Sequence, residues 1–333
     1  MGTREPGGAY GVSRRAVLGA AVALPWLGMV GCTSKEPAGV RDSGGPNRSQ
    51  GAASPTPSGT ETPRHRARFA ALERAHGARL GLYALATGSG AVLAHRAEER
   101  FAFCSTFKSL AAAAVLHRNP LSHLDKRVAV TRADVSSVSP IAEKHIGSDM
   151  SIRELCDAAV RHSDGTAGNL LVRDLGGPRQ LNAFLRELGD PVSRMDQYEP
   201  GLNNNPPGDP RDTTTPRALA DTHRALLLGT ALPADKRALL EDWLLNTVTG
   251  AKRIRAGLPR GWACAHKTGT GDYGRANDVA VIWPPGGAGD KGDKRGKGAP
   301  IVLALMSDRP GLAAEPEEAL LAEATAYAVS VLA

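Results

Sequence analysis

Ser105 and Lys108 are the first residues of the chain whose types and spacing could do chemistry. They stand three positions apart at the start of an Ala-rich stretch. On a helix such positions share one face, so the Lys108 ammonium could approach the Ser105 hydroxyl. The helix N-terminus would also place the Ser105 backbone N–H where it can stabilise an oxyanion. The pattern indicates an activated serine nucleophile, with an N-cap serine and a solvated lysine as the alternative.

Two further segments combine hydroxyl and amine groups. Ser163-Asp164-Gly165 separates two predicted helices and alone indicates only a turn. Lys267-Thr268-Gly269-Thr270 ends a predicted strand that is bounded by glycine. Alternation along that strand directs Lys267 and Gly269 to one face, where a residue without a side chain lets a substrate backbone approach. An exposed edge strand is the alternative interpretation.

A carboxylate and an amide stand four residues apart in a long loop. Glu199 and Asn203 lie in an irregular stretch from about residue 191 to 215. Loops of this length inside a compact domain are more often functional than not. We therefore expect the segment Tyr198-Glu199-Pro200-Gly201-Leu202-Asn203 to have a functional role.

The elements that must position these groups alternate between the helical and the strand period. Strands are predicted at 79–86, 91–95, 262–268, 276–283 and 300–307, and helices at 65–77, 105–117, 151–161, 166–175, 178–188, 216–228, 235–245 and about 314–332. Strands at both ends with helices between them predict a mixed α/β fold with an antiparallel sheet whose first and last strands meet. Residues 286–298, rich in Gly, Asp, Lys and Arg, are predicted to form an exposed hairpin tip.

The S-x-x-K, S-D-x and K-T-G segments, in this order, form the motif set of class A β-lactamases and penicillin-binding proteins. The chain resembles a class A serine β-lactamase, of an actinobacterial type, over nearly all of residues 65–333. The resemblance includes residues 208–214 and Arg275-Ala276-Asn277-Asp278. It implies a five-stranded sheet flanked by N- and C-terminal helices, an all-α subdomain, and an active site between them.

The resemblance implies catalytic roles for five residues. Ser105 would attack the lactam carbonyl to give an acyl-enzyme. Its base would be either Lys108 or Glu199 acting through a water, and the sequence leaves this open. Ser163 would pass a proton to the lactam nitrogen, and Lys267 would hold Ser163 and the substrate carboxylate.

The resemblance also implies how substrate and water are held. The backbone N–H groups of Ser105 and Thr270 would form the oxyanion hole. The substrate carboxylate would be bound by Thr268, Thr270 and Arg253, beside Gly269. Glu199 and Asn203 would hold the water that hydrolyses the ester.

Three positions depart from the family pattern. Gly165 stands where asparagine is usual, and Val138 stands where many members place an aromatic side chain at the mouth of the pocket. Gln197 replaces an arginine that commonly pairs with the position of Asp212. We expect a roomy site that accepts bulky cephalosporins, and a mobile 191–215 loop.

Two other functions fit part of the pattern. A penicillin-binding D,D-peptidase would be acylated at Ser105 but act on peptidoglycan stems, and a penicillin sensor would remain acylated. Glu199 favours hydrolysis over both, because a positioned base is useful when the ester must be cleaved. No cofactor or metal is expected. The G-x-G-x-x-G match at residues 269–274 precedes a strand, whereas a nucleotide site requires a helix there.

The N-terminal residues predict export. Arg14-Arg15 before an apolar run resembles a twin-arginine signal over residues 1–31, and Met29-Val30-Gly31-Cys32 resembles a lipobox that would make Cys32 the lipidated residue. A plain secretory signal with an incidental cysteine is the alternative. Residues 32–66, rich in Pro, Ser, Thr and Gly, are predicted to be a flexible linker, and 67–333 the catalytic domain.

Composition limits the partners. Residues 1–66 carry eight Lys/Arg and four Asp/Glu, so only +3 of the net charge of +7 lies in residues 67–333. This small excess is unlike that of a nucleic-acid-binding domain. We expect a monomer with a small-molecule β-lactam substrate and contact with the membrane only through a lipid anchor. The sequence does not decide whether any disulfide joins Cys104, Cys156 or Cys264.

Overall fold

The structure, a computed structural model, describes residues 62–135, 138–285 and 298–333. The predicted signal segment, Cys32 and nearly all of the predicted linker lie outside the described residues, as does most of the predicted hairpin tip. Helix α1 begins at Pro63, where proline suits the first helical position and Thr62 caps the helix through its side chain. Residues 63–66, which the domain prediction placed in the linker, are therefore helical, and the helix predicted from residue 65 begins two residues earlier.

The predicted strands and helices occur in the predicted order, and the described chain adds four strands of two or three residues and one helix of four residues that were not predicted. The strands are β1 (Arg79–Ala86), β2 (Val92–His95), β3 (Phe101–Ala102), β4 (Arg127–Ala129), β5 (Asp149–Ser151), β6 (Thr213–Thr214), β7 (Ala263–Gly271), β8 (Arg275–Trp283) and β9 (Ile301–Asp308). The helices are α1 (Pro63–His76), α2 (Phe107–Arg118), α3 (Ile152–Arg161), α4 (Gly165–Asp174), α5 (Pro178–Glu187), α6 (Pro216–Leu227), α7 (Ala234–Leu245), α8 (Ile254–Gly257) and α9 (Glu318–Leu332). Single 3-10 turns occur at Cys104–Thr106, Leu121–Asp125, Arg132–Asp134, Ala142–His145 and Gly201–Asn203.

One predicted boundary was wrong by four residues. Helix α9 begins at Glu318 rather than near residue 314. Pro316 explains the difference, because proline disfavours helical backbone at the residue before it, here Glu315. Of the described helices, none is long and apolar enough to cross a membrane.

The main sheet confirms the predicted topology. Its strand order is β2-β1-β9-β8-β7, with antiparallel pairing throughout, so the first strand pairs with the last. Strand β7 lies at the edge of the sheet. It continues through Gly271 into a tight hairpin with β8, in which Gly271 pairs with Arg275. The G-x-G-x-x-G match is therefore part of a hairpin, as the sequence predicted.

Two hydrophobic clusters cover the two faces of the sheet. On one face Leu80 and Leu82 of β1 belong to the same cluster as Phe69 of α1 and Leu320 of α9. On the other face, side chains of β8 such as Val279 pack with the helices between β3 and β7. Helix α2 is central to this second cluster, because all its side chains from Phe107 to Leu116 are buried. This burial fixes the helix on which Lys108 stands.

Candidate active site

Ser105 lies on a 3-10 turn, Cys104–Thr106, that leads into α2. Asn277 of β8 holds this turn, because its Nδ2 donates to the carbonyls of Ala102 (2.8 Å) and Phe103 (3.0 Å). Cys104 adopts a left-handed backbone, with φ of 47°. The nucleophile is thus presented by a turn whose conformation is set by its neighbours.

Gly269 allows β7 to approach this turn. A Cβ atom at position 269 would lie 2.8 Å from the Phe103 carbonyl oxygen and 3.1 Å from the Cys104 Cβ. Such distances are shorter than van der Waals contact. The strand pattern predicted that a substrate approaches this glycine, whereas the structure places the nucleophile turn against it. A substrate contact at Gly269 stays a prediction.

Lys108 confirms the predicted approach to Ser105. Its Nζ donates to Ser105 Oγ (2.9 Å), to the Ser163 carbonyl oxygen (2.7 Å) and to Glu199 Oε2 (3.0 Å), and it lies 2.9 Å from Glu199 Oε1. Burial lowers the pKa of Lys108 below the ordinary lysine value, and the Glu199 carboxylate opposes this shift. The lysine stem lies against Gly168 of α4, where a Cβ atom would come within 2.9 Å of Lys108 Cε.

Glu199 contacts the nucleophile directly. Ser105 Oγ donates to Glu199 Oε1 at 2.8 Å, and both side chains are buried. Asn169 of α4 holds the main chain of Glu199 on two sides. Its Nδ2 donates to the Glu199 carbonyl (2.8 Å), and its Oδ1 accepts from the Glu199 N–H (3.0 Å). Neither Asn169 nor Gly168 was identified from the sequence.

Ser163 joins both lysines of the site. Lys267 Nζ donates to Ser163 Oγ at 2.9 Å, while the carbonyl of Ser163 accepts from Lys108. Burial lowers the pKa of Lys267 well below the ordinary lysine value, and the charge of Lys108 adds to this shift. The S-D-x and K-T-G segments therefore meet as the sequence predicted.

Asp164 anchors the surroundings of Ser163. Its Oδ1 accepts from the Ala167 N–H at 2.8 Å and caps α4, and its Oδ2 accepts from the N–H groups of Ile141 and Ala142 at 2.9 Å each. The Gly165 N–H donates to the Val138 carbonyl at 2.9 Å. The side chain of Val138 is 84% exposed. Gly165 and Val138, which both depart from the residues usual in class A β-lactamases, are thus neighbours in the structure.

A group of hydroxyls and one guanidinium surrounds the end of β7. Arg253 Nη2 donates to Thr270 Oγ1 (2.7 Å), and its Nη1 donates to the carbonyl of Gly269 (2.7 Å). Glu318 of α9 accepts from Arg253 Nε at 2.9 Å. The hydroxyls of Thr249 and Thr268 are 2.8 Å apart. The predicted residues Arg253, Thr268 and Thr270 therefore lie together.

Gln197 does reach across the loop to Asp212. Its Nε2 donates to Asp212 Oδ2 at 3.0 Å and to Asn205 Oδ1 at 2.8 Å. The buried Asp212 carboxylate also accepts from Asn205 Nδ2 and from the N–H groups of Asp196 and Gln197. Hydrogen bonds from uncharged donors to the Asp212 carboxylate thus join the two sides of the loop. The expected mobility of the loop stays a prediction.

Asn203 lies beside the β7–β8 hairpin. Its carbonyl accepts from Arg275 Nη1 (2.7 Å) and from the Asp272 N–H (3.2 Å). Its Oδ1 is buried and has no hydrogen-bond partner within the described ranges. The side chain therefore offers an acceptor that the surrounding protein does not use.

The three described cysteines, Cys104, Cys156 and Cys264, are all free and buried. Burial raises the pKa of the Cys104 thiol to about 12, so it is uncharged at neutral pH. Among residues 62–135, 138–285 and 298–333, no group of three or more His, Cys, Asp or Glu could hold a metal ion.

A buried serine that is hydrogen-bonded to a lysine and a carboxylate, beside a second lysine–serine pair, defines a site for serine acyl transfer. Comparison with known proteins agrees with this class. The model of the β-lactamase enzyme family matches residues 64–331.

Curated relatives are similar over most of their length. A β-lactamase of Mycobacterium tuberculosis is 57% identical over 272 residues, which cover 80% of this chain and 85% of the relative. The FAR-1 β-lactamase of Nocardia farcinica is 51% identical over 268 residues, covering 80% and 82%. The β-lactamase 3 of Bacillus cereus is 46% identical over 264 residues, covering 79% and 80%. The chain belongs to the β-lactamase enzyme family.

Proposed function

We propose that the protein hydrolyses penicillins and cephalosporins by the class A serine acyl-enzyme route and so gives antibiotic resistance. The observation that carries the proposal is the contact of the Ser105 hydroxyl with both Lys108 (2.9 Å) and Glu199 (2.8 Å) in a buried site. A nucleophile and a base within hydrogen-bond reach are the requirement for covalent catalysis. Membership of the β-lactamase family supports the choice of substrate.

Glu199 is the base for acylation in this proposal. Lys108 Nζ has three acceptors, on Ser105, Ser163 and Glu199, and only the ammonium form has three N–H donors for them. A protonated Lys108 cannot take the proton of Ser105. Ser105 Oγ already donates to Glu199 Oε1, so the carboxylate takes this proton as Oγ attacks the lactam carbonyl.

The acylation step ends when the lactam C–N bond breaks and the nitrogen takes a proton from the Ser163 hydroxyl. Lys267 holds that hydroxyl and replaces its proton. Glu199 passes the proton of Ser105 to Lys108, and Lys108 gives one of its own protons through the Ser163 hydroxyl to Lys267, so that Glu199 is a carboxylate and both lysines are ammonium groups again. The backbone N–H groups of Ser105 and Thr270 stabilise the oxyanion.

Deacylation uses the same carboxylate. Glu199 takes a proton from a water, the oxygen of the water adds to the ester carbonyl, and the bond to Ser105 Oγ breaks as Oγ regains a proton from Glu199. The unused Oδ1 of Asn203 is available to help orient this water. Asn169 keeps the main chain of Glu199 in place through both steps.

The substrate carboxylate binds at the end of β7 in this proposal. Lys267, Arg253 and the hydroxyls of Thr268 and Thr270 supply positive charge and donors there. The exposed Val138 and the missing side chain at Gly165 leave the opposite side of the pocket wide. This width favours substrates with bulky acylamino groups.

The test is turnover of a chromogenic cephalosporin by the full-length protein, with Ser105→Ala as the control that should show no turnover. Mass spectrometry after mixing with benzylpenicillin should find the adduct on the Ser105 peptide. Glu199→Ala separates hydrolysis from the alternatives. Burial then lowers the pKa of Lys108 without the opposing carboxylate, so Lys108 can take the proton of Ser105, whereas the deacylating water is left without a base. The variant should therefore trap the acyl-enzyme and lower hydrolysis by about 10²–10⁴, the reach of general base catalysis. A wild-type protein that itself remains acylated would instead be a sensor or a D,D-peptidase.

We also propose that the enzyme is exported, anchored by a lipid on Cys32, and monomeric. The support for export and for the lipid anchor is the sequence pattern of residues 1–32 alone. Fractionation of cells producing the wild type and Cys32→Ala tests the anchor. The wild type should sediment with membranes and the variant should be released; equal distribution of the two would argue for a plain secretory signal.

A further inference from the structure

A buried histidine–carboxylate pair lies next to the end of β7 and has no part in the mechanism above. His266 precedes Lys267 on β7, so its side chain is directed to the opposite face of the sheet. Its Nδ1 lies 2.9 Å from Asp278 Oδ1 and 3.1 Å from Oδ2, and neither side chain is exposed to solvent. Within the described part of the chain, His266 Nε2 has no hydrogen-bond partner.

An unpartnered buried nitrogen is a cost to the fold, which an apolar side chain at position 266 would avoid. The imidazole therefore requires an explanation other than stability. The contacts of the pair give one, because both members touch the turn of residues 249–254. This turn carries Thr249 and Arg253.

The turn packs directly on the pair. Gly250 has φ of 73°, and a Cβ atom there would lie 2.5 Å from Thr268 Cγ2, 3.0 Å from His266 Cε1 and 3.6 Å from Asp278 Oδ2. Asp278 Oδ2 also accepts from the Ile254 N–H at 3.2 Å. The pair thus contacts the turn at two points. His266 packs against Gly250, and Asp278 accepts from Ile254, the residue directly after Arg253.

The same turn supplies two donors to the proposed carboxylate site. The Thr249 hydroxyl contacts that of Thr268 at 2.8 Å, and Arg253 contacts Thr270 at 2.7 Å. A shift of the turn against β7 would move both donors together. It would leave Ser105 and Lys108 in place, since these stand on the nucleophile turn and on α2.

We propose that His266, through Asp278, is a positioning residue for the substrate-carboxylate site. The pair fixes residues 249–254 against β7 and so sets the positions at which Thr249, Thr268 and Arg253 meet the anionic group of the substrate. This inference rests on the proposed function. It predicts an effect on recognition of the carboxylate rather than on the bond-breaking steps.

The test compares benzylpenicillin with its methyl ester, which lacks the anionic group. His266→Ala should raise KM for benzylpenicillin by about 10-fold with little change in kcat, the effect of losing one well-placed polar contact. The KM of the same variant for the methyl ester should change by less than about 3-fold, because the ester has no anionic group to be recognised. His266→Asn should restore the wild-type KM, because its amide can donate to Asp278 as the imidazole Nδ1 does.

Two further variants complete the test. Ile282→Ala makes a cavity on the same face of the sheet and should affect the two substrates equally. Asp278→Asn removes the carboxylate from the other member of the pair. It should reproduce the selective rise in KM, and it keeps the test decisive if His266→Ala does not fold.

Equal changes for acid and ester in His266→Ala and Asp278→Asn, or no rescue by asparagine at position 266, would overturn the inference. A wild-type protein that hydrolyses benzylpenicillin while the variants show no selectivity would leave the proposed function standing. A wild-type protein without hydrolysis would contradict the proposed function itself.

Discussion

A buried histidine beside the active-site helix should make the fold sensitive to acid. His223 of α6 is 1% exposed, and its Nε2 lies 3.0 Å from the hydroxyl of Ser109, the residue after Lys108 on α2. Its Nδ1 lies 2.9 Å from the Leu219 carbonyl. Burial lowers the pKa of His223 from 6.5 to about 4.

The sign follows from where the proton binds. Between pH 6.5 and 4 the unfolded chain protonates this histidine while the folded protein does not. The contribution of the neutral His223 side chain to the free energy of unfolding is therefore complete above the pKa of the unfolded chain. It is lost as the pH falls toward the pKa of the folded protein. At pH 4.5 the loss is about 2.5 kcal/mol, since each unit of pKa difference corresponds to about 1.4 kcal/mol.

The assay is urea unfolding at pH 7.5 and 4.5. His223→Leu removes the titrating group, while Ser109 keeps its hydrogen bond to the Thr106 carbonyl. The free energy of unfolding should fall between the two pH values by about 2.5 kcal/mol less in the variant than in the wild type. The control is His117→Leu, which replaces an exposed histidine of α2. Its free energy of unfolding should fall between the two pH values by as much as that of the wild type. Parallel losses in wild type and His223→Leu would refute the assignment.

Three further substitutions test the site. Asn169→Ala removes both hydrogen bonds between Asn169 and the buried main chain of Glu199, so the free energy of unfolding should fall by about 1–3 kcal/mol. Acyl-enzyme should also accumulate in mass spectra; unchanged deacylation would contradict the positioning role of Asn169. Gly165→Asn should raise kcat/KM for benzylpenicillin by about 2- to 10-fold, because the new side chain can add one hydrogen bond between neutral groups. The same substitution should lower kcat/KM for a bulky oxyimino cephalosporin. Equal shifts for both substrates would show that space at this position does not set specificity. Gln197→Arg should place a cation against the buried Asp212 carboxylate and slow hydrogen exchange in residues 191–215, because a bidentate arginine–carboxylate pair is stronger than a hydrogen bond from an uncharged amide. If hydrogen exchange in residues 191–215 of the wild type is as slow as in the core helices, the predicted mobility of this loop is contradicted.

Local signals explain why the elements could be predicted from the sequence. Ser151 and Glu154 form a capping box at the start of α3, and Thr215 with Pro216 marks the start of α6. The pairing of β1 with β9 followed from the order of strands and helices. The register did not, because it depends on contacts between residues more than 200 positions apart.

The chemistry of the site was predictable where it depends on short motifs. Ser105 with Lys108 and Ser163 with Lys267 each appear in a recognisable segment. Asn169 does not, because its role arises from α4 passing beside a loop 30 residues further along the chain. His266 is similar: an isolated histidine in a strand shows neither its partner Asp278 nor the turn that packs on it.

Backbone conformation at the site was beyond the sequence for a further reason. Cys104, Ser163 and Asp212 adopt left-handed φ of 47°, 57° and 54°, although none is glycine or asparagine. Such conformations cost about 1–3 kcal/mol each and persist where surrounding contacts impose them. Each stands at the site: Cys104 precedes the nucleophile, Ser163 bonds both lysines, and Asp212 holds the loop that carries Glu199. At Ser163 this backbone lets one residue direct its carbonyl to Lys108 and its hydroxyl to Lys267. The S-D-x motif identifies Ser163, but the left-handed backbone conformation is what allows Ser163 to accept hydrogen bonds from both lysines at once.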